Sequence, residues 1–386
     1  MGSFAGRGLR GAEVTVRRAA VVLAVAAVVS AVAACGPSTE RSTSEKDGAA
    51  TTTSQRSSST VAPSPDAVLR DTPLSEFVVY RDAPWANTMH DEQVAAIQPA
   101  STPLPPGMHA IPDFAGTTTN VVNGERRSRS ATHGGAATNV WFVGAGGAFG
   151  VGQRDDFTVA SELVRLGDAA GQPLTVHNLG VPENLFLDDE ITLVRDRLRR
   201  SEPPDLVVFY DGFNDALFNW MYASTHGGTP LPREERAKDW VNEFASRPNP
   251  PRLQPEQIPP VVDHIVADYR GAQQQIRREL LGRGIAAEFF FQPDAFASAV
   301  QSADFTRVLR SAGIGPAPDN GLAAVLERSA AALASTVHNV RAAVAAVTTP
   351  FFADPSNMSE RGATFTARAL WPAVRRHLSA HNTAPT

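Results

Sequence analysis

Asn139-Val140-Trp141-Phe142-Val143-Gly144-Ala145-Gly146-Gly147-Ala148-Phe149-Gly150 sets an apolar run directly against a glycine-rich turn. Such a run reads as a buried strand, with the turn at its carboxyl end. Working outward, Asp155 to Gly167 reads as a helix, Leu174 to Gly180 as a second strand and Asp205 to Asp211 as a third, with a helical stretch before the last. This alternation predicts an α/β domain whose ligand crevice lies at the carboxyl ends of parallel strands. The strand candidates are Val140 to Val143, Leu174 to His177, Leu206 to Tyr210, Ala286 to Phe291 and Pro350 to Ala353. They predict a five-stranded parallel sheet of order 2-1-3-4-5, a flavodoxin-like three-layer α/β/α sandwich with right-handed crossovers. Leu187, Ile191, Val194 and Leu198 recur at helical spacing, as do Leu322, Leu326, Leu333, Val337, Val340 and Val344 in a helix expected over Leu322 to Val347. Both stripes read as core.

The turns at the first three strand ends are Gly144-Ala145-Gly146, Asn178-Leu179-Gly180-Val181-Pro182-Glu183 and Asp211-Gly212-Phe213-Asn214-Asp215. With Asp354-Pro355-Ser356-Asn357 they resemble, in order and spacing, the blocks of the SGNH (GDSL-type) hydrolases, over most of residues 139–378. The resemblance implies the three-layer SGNH fold and the site of an ester hydrolase, with two departures. Gly146 stands at the nucleophilic serine position and Asn357 at the histidine position. Glu183 replaces a glycine whose N–H serves the family's oxyanion hole, while Asn214 and Asp354 keep the family's residue types.

Acyl transfer through a covalent intermediate needs a nucleophile, a base within reach of it and a group orienting that base. Gly146 has no nucleophilic atom, and an asparagine amide takes up no proton near neutral pH. The expectation is a hydrolase fold without the hydrolase mechanism. The alternative is an active esterase or acyltransferase with a relocated nucleophile. Its candidates are Ser356, Ser359, Thr158 and Ser161, with His177 and His226 as bases, although each suits a structural role such as a helix N-cap or a core histidine. Asp211 and Asp215, joined by Trp220 and Tyr222 from the insertion 217–260, are candidates for a ligand pocket. The acidic residues do not form an oxygen-ligand loop of the kind calcium needs, so neither metal nor cofactor is expected.

At the other end of the chain, Arg17-Arg18 precede an apolar run from Ala19 to Ala34 that stops at Cys35. A basic segment, a short apolar segment and small residues before a cysteine form an export signal over residues 1–35 that resembles a bacterial lipoprotein signal. The resemblance implies that Cys35, the chain's one cysteine, carries the lipid and anchors the protein to the outer face of the cell membrane. Residues 36–66 are Ser/Thr-rich and read as a disordered tether. Residues 67–138 read as an extension packed on the body, with Phe77-Val78-Val79-Tyr80 as a strand candidate and Trp85 as an anchor. The net charge of −5 over 386 residues, without a basic stripe interleaved with aromatics, excludes nucleic acid as the expected partner. An envelope glycan or acylated small ligand is expected instead.

Overall fold

A computed structural model describes residues 77–97, 111–134, 136–182, 184, 186–235, 252–301, 303 and 320–381. Cys35, the export signal, the tether and Glu183 lie outside the described residues.

The core of the molecule is one mixed sheet of order β1-β2-β3-β5-β4-β6-β7-β8. Its parallel part comprises β4 (Thr138–Gly144), β5 (Leu174–Asn178), β6 (Leu206–Asp211), β7 (Ala286–Phe291) and β8 (His338–Asn339). Read in that sequence, β5-β4-β6-β7-β8 is the 2-1-3-4-5 order expected above. Three short antiparallel strands, β1 (Phe114–Ala115), β2 (Asn120–Val122) and β3 (Glu125–Arg126), widen it to eight, with Arg126 of β3 opposite Asn178 of β5.

The period-2 rule divides the strand residues between two faces. Val140, Phe142, Leu206, Val208, Tyr210 and Phe290 face a core closed by α3 (Val159–Ala169) and α9 (Glu360–His381). Trp141, Val143, Val207, Phe209, Phe289 and Phe291 face a second core. That core is closed by α4 (Ile191–Arg200), α5 (Phe213–Thr225), α6 (Ile258–Leu281) and α7 (Leu322–Leu333). Every residue of β6 is buried, as a central strand covered on both faces requires. The fold is therefore a three-layer α/β/α sandwich. Pro259 and Pro260 open α6, where the missing N–H groups would have had no helical partner. Among the described residues no helix is long and apolar enough to cross a membrane.

Four local expectations give way to the structure. Pro350 to Ala353 is not the fifth strand: the Phe351 carbonyl accepts from Ser359 N–H, and Phe352 bridges Met358, so this run folds back as a hairpin. Its apolar side chains are buried because the hairpin is tucked into the body. The edge position goes to β8, whose His338-Asn339 pairs with Phe290-Phe291. That pairing breaks the helix expected over Leu322 to Val347 into α7 and the short α8 (Arg341–Ala345). Gln273 of α6 donates to Thr336 O and Val340 N–H to Phe291 O, tertiary bonds that a continuous helix would forgo. The stripe residues remain buried in their separate elements.

Phe77 to Tyr80 is likewise no strand, since Val78–Tyr80 forms a 3-10 turn leading into α1 (Ala86–Ile97). Trp85 packs edge-on against Tyr80 and lies under the Arg154 guanidinium. The first part of the insertion 217–260 continues α5, and residues 236–251 lie outside the described residues.

Candidate functional site

β4 delivers Gly146 through a sharp turn into the one-turn helix α2 (Gly146–Phe149). The second turn packs tightly beneath it. A Cβ on Gly180 would lie 2.1 Å from Phe149 N, so this position excludes any larger residue. Asn178 fixes the same junction by donating to Ala148 O and accepting from Gly180 N–H. At the end of β6, Gly212 has φ 92°, a left-handed conformation that lets α5 start immediately and sets Asn214 in its first turn. Because Gly144 pairs with Tyr210, the turns carrying Gly146 and Asn214 leave neighbouring strands at the same end of the sheet.

The fourth block arrives on the loop after Phe352. Asp354 Oδ1 accepts from the backbone N–H groups of Ser356 (2.8 Å) and Asn357 (2.7 Å), and Oδ2 accepts from Asn357 Nδ2 (2.7 Å). All these groups donate, which fixes the asparagine amide with its nitrogen toward Asp354 and its oxygen away from it. Burial raises the Asp354 carboxyl above its ordinary value, while the hydrogen bonds from Asn357 and Ser356 act in the opposite direction.

Asn357 Oδ1 is buried, has no hydrogen-bond partner, and lies 3.2 Å from the position a Cβ on Gly146 would take. Its residue is 5% exposed. Asp354, Asn357 and Gly146, the residues expected at the orienting, base and nucleophile positions, thus lie side by side, with the asparagine amide between the carboxyl group and the glycine. Asn214, half-buried beside them, donates from Nδ2 to Asn184 O at 3.1 Å.

The remaining candidates lie elsewhere. Asp211 is buried beneath the turn, where Tyr269 donates a short hydrogen bond to its Oδ1. Asp215 accepts from Phe186 N–H at 3.4 Å. Trp220 is fully buried and donates from Nε1 to Asn320 O, and Tyr222 stacks on His226 at 3.9 Å between ring centroids. Both aromatics are buried in the second core, on a helix where the sequence predicts the insertion. Among the described residues no group of three or more His, Cys, Asp and Glu side chains is arranged to hold a metal ion.

The alternative nucleophiles have structural partners. Thr158 caps α3 by accepting from Ser161 N–H, and Ser161 donates to Asp155 O. Both are fully buried. Ser356 bonds Asp354, Ser359 N–H closes the hairpin onto Phe351 O, and His177 pairs with Glu125 at 2.8 Å. Burial lowers the His177 pKa, as it does for any imidazole removed from water.

Glu190 is the residue that sequence reasoning missed. It lies on the π-helical turn Phe186–Glu190 that leads into α4, is fully buried, and meets Asp211, Asp215 and Asp189. Burial and then Asp211 and Asp215 raise Glu190 well above the ordinary carboxyl value, and burial and then Asp215 raise Asp211, with Tyr269 and Glu190 acting in the opposite direction on Asp211. A signal was present: Glu190 is four residues before Val194, on the buried stripe. Gln93 was missed as well. Its amide donates to Gly150 O and Gln153 O and accepts from Gly152 N–H, clamping the loop behind Gly146 from the N-terminal extension. Tyr80 adds a bond to Gly152 O.

Three solved structures are among those similar to this chain. An acetyl xylan esterase, AlAXEase, shares 15% identity at a TM-score of 0.36, covering 61% of this chain and 99% of its own. A carbohydrate acetylesterase family member from Sinorhizobium meliloti shares 15% at 0.38, covering 63% and 99%. A putative arylesterase from Agrobacterium tumefaciens str. C58 shares 17% at 0.36, covering 62% and 99%. No family model and no curated protein matches the chain.

Proposed function

We propose that this protein is an exported lipoprotein of the SGNH-hydrolase type that binds an envelope glycan or acylated ligand without hydrolysing it. The observation that carries this reading is the Asp354–Asn357–Gly146 line, in which the supporting hydrogen bonds persist and both reacting groups are missing. Losing nucleophile and base together leaves only binding and whatever oxyanion contacts remain. The Cys35 signal supports attachment through a lipid to the outer face of the membrane.

The test is restoration. Gly146→Ser with Asn357→His rebuilds the reacting pair against Asp354, and turnover of short-chain aryl esters and acetylated sugars should appear in the double variant but in neither single one. Turnover by the unmodified protein, lost in Ser356→Ala or Ser359→Ala, would replace this reading with a relocated nucleophile. Cys35→Ala should move the protein from the membrane to the soluble fraction.

A further inference from the structure

The backbone does not require a glycine at position 146. Its φ is not among the positive values of the chain's left-handed glycines, and a Cβ there would have only Asn357 Oδ1 (3.2 Å) and Val151 Cγ2 (3.5 Å) within 4 Å. What the glycine provides is room, and that room borders an acceptor. Asn357 Oδ1 cannot turn away from it without placing its oxygen against the Asp354 carboxyl and withdrawing the 2.7 Å amide bond. A buried carbonyl oxygen without a donor costs about 1–3 kcal/mol, which a ligand supplying that donor recovers. A neutral hydroxyl fits this one acceptor, whereas an ammonium brings three donors to satisfy. A ligand carbonyl or ether oxygen would set acceptor against acceptor.

We infer that Asn357 Oδ1, beside Gly146, is a hydroxyl-recognition point that accepts a hydrogen bond from an alcohol O–H of the bound ligand. The ligand's oxygen takes the space a serine hydroxyl would fill, so the protein selects hydroxyl-bearing molecules over fully etherified or esterified ones at that position. This rests on the binding reading above and narrows it to a chemical class. Gly146→Ser supplies the donor from the protein itself and so competes with the ligand.

The experiment uses the full chain labelled with nitrogen-15 at asparagine. The Asn357 side-chain amide signal is assigned by its loss in Asn357→Asp and followed during titration with ethylene glycol and with 1,2-dimethoxyethane, which keeps the oxygens but has no O–H. Ethylene glycol should shift the signal saturably and dimethoxyethane should not. In Gly146→Ser the apparent affinity for ethylene glycol should fall roughly tenfold or more. Gly146→Ala, which fills the space without a donor, should also weaken it. Equal shifts from the two probes, no shift from ethylene glycol, or undiminished binding in both Gly146 variants would each overturn the inference. Ester turnover by the unmodified protein would instead refute the non-hydrolytic reading, and the two failures are read by separate measurements.

Discussion

Asp354 and Glu190 are both carboxyl groups buried near the ends of the parallel strands, and their surroundings differ in kind. Asp354 is ringed by donors, two backbone N–H groups and an amide, so its role is to hold Asn357 in one orientation. Glu190 is ringed by other acids, with Asp211 first among them. The first arrangement holds a carboxylate by donors alone and so needs no proton of its own. The second sets acid against acid, so burial and its neighbours favour the neutral form of Glu190. Burial alone therefore does not reveal what a carboxyl group does. The partners decide.

The contrast can be broken most severely at Asp354. Asp354→Ala strands two buried donors of Asn357 and the half-buried N–H of Ser356 and should cost about 3–5 kcal/mol of stability, read by urea unfolding. At Glu190 the opposite sign is expected. Its folded pKa lies above the ordinary value of 4.5, so the stability it contributes is complete below that value and is lost as pH rises through the folded pKa. Glu190→Gln removes this loss and should gain about 1–3 kcal/mol on the unmodified protein as pH rises above 4.5. No gain with rising pH would contradict the raised pKa.

Gly146→Ser sharpens the comparison on the Asp354 side. Its hydroxyl meets the unpartnered Asn357 oxygen and should stabilise the protein by about 0.5–1 kcal/mol in the same unfolding assay, the close 3.2 Å approach being the opposing term. The smallest effect belongs to Glu92 of α1. Burial acts to raise its pKa, but bonds from the Thr118 and Thr117 side chains and backbone outweigh that and hold it at about 2, against an ordinary 4.5. Its contribution is present above 4.5 and lost as pH falls through about 2. Because the group is mostly solvated, Glu92→Gln should cost only about 0.5–1 kcal/mol near neutrality, with the difference disappearing at the acid end.

The parts of this molecule legible in the sequence were those where one physical requirement acts alone. β4, β5, β6 and β7 announce themselves because strands covered by helices must be apolar, while Gly180 marks a close backbone approach that no other residue permits and Gly212 a left-handed turn. β8 carried no signal, because two residues show no periodicity and their pairing is decided by contacts with Phe290, Phe291 and α6. Pro350 to Ala353 misled for the converse reason: apolar residues bury equally well in a hairpin as in a strand. In the site, the closeness of Gly146 to Asn357 could be read from block spacing, since the resemblance sets both in one site. Gln93 could not, as a polar residue on a helix is ordinarily solvated and only the neighbours brought by folding reverse that, and Glu190 showed only in its place one turn before Val194 on the apolar stripe.

The sheet ends at both margins in strands of two residues, Phe114–Ala115 on one side and His338–Asn339 on the other. So short a margin covers only part of the strand inside it: β8 meets Phe290 and Phe291 of β7 and β3 meets Asn178 of β5, so among the described residues Ala286 to Phe289 and Leu174 to His177 have no strand on their outer sides. Those two stretches, and not the short margins, are where a foreign strand would find backbone donors and acceptors to zip onto, so the guard against edge-to-edge stacking has to come from the side chains that flank them.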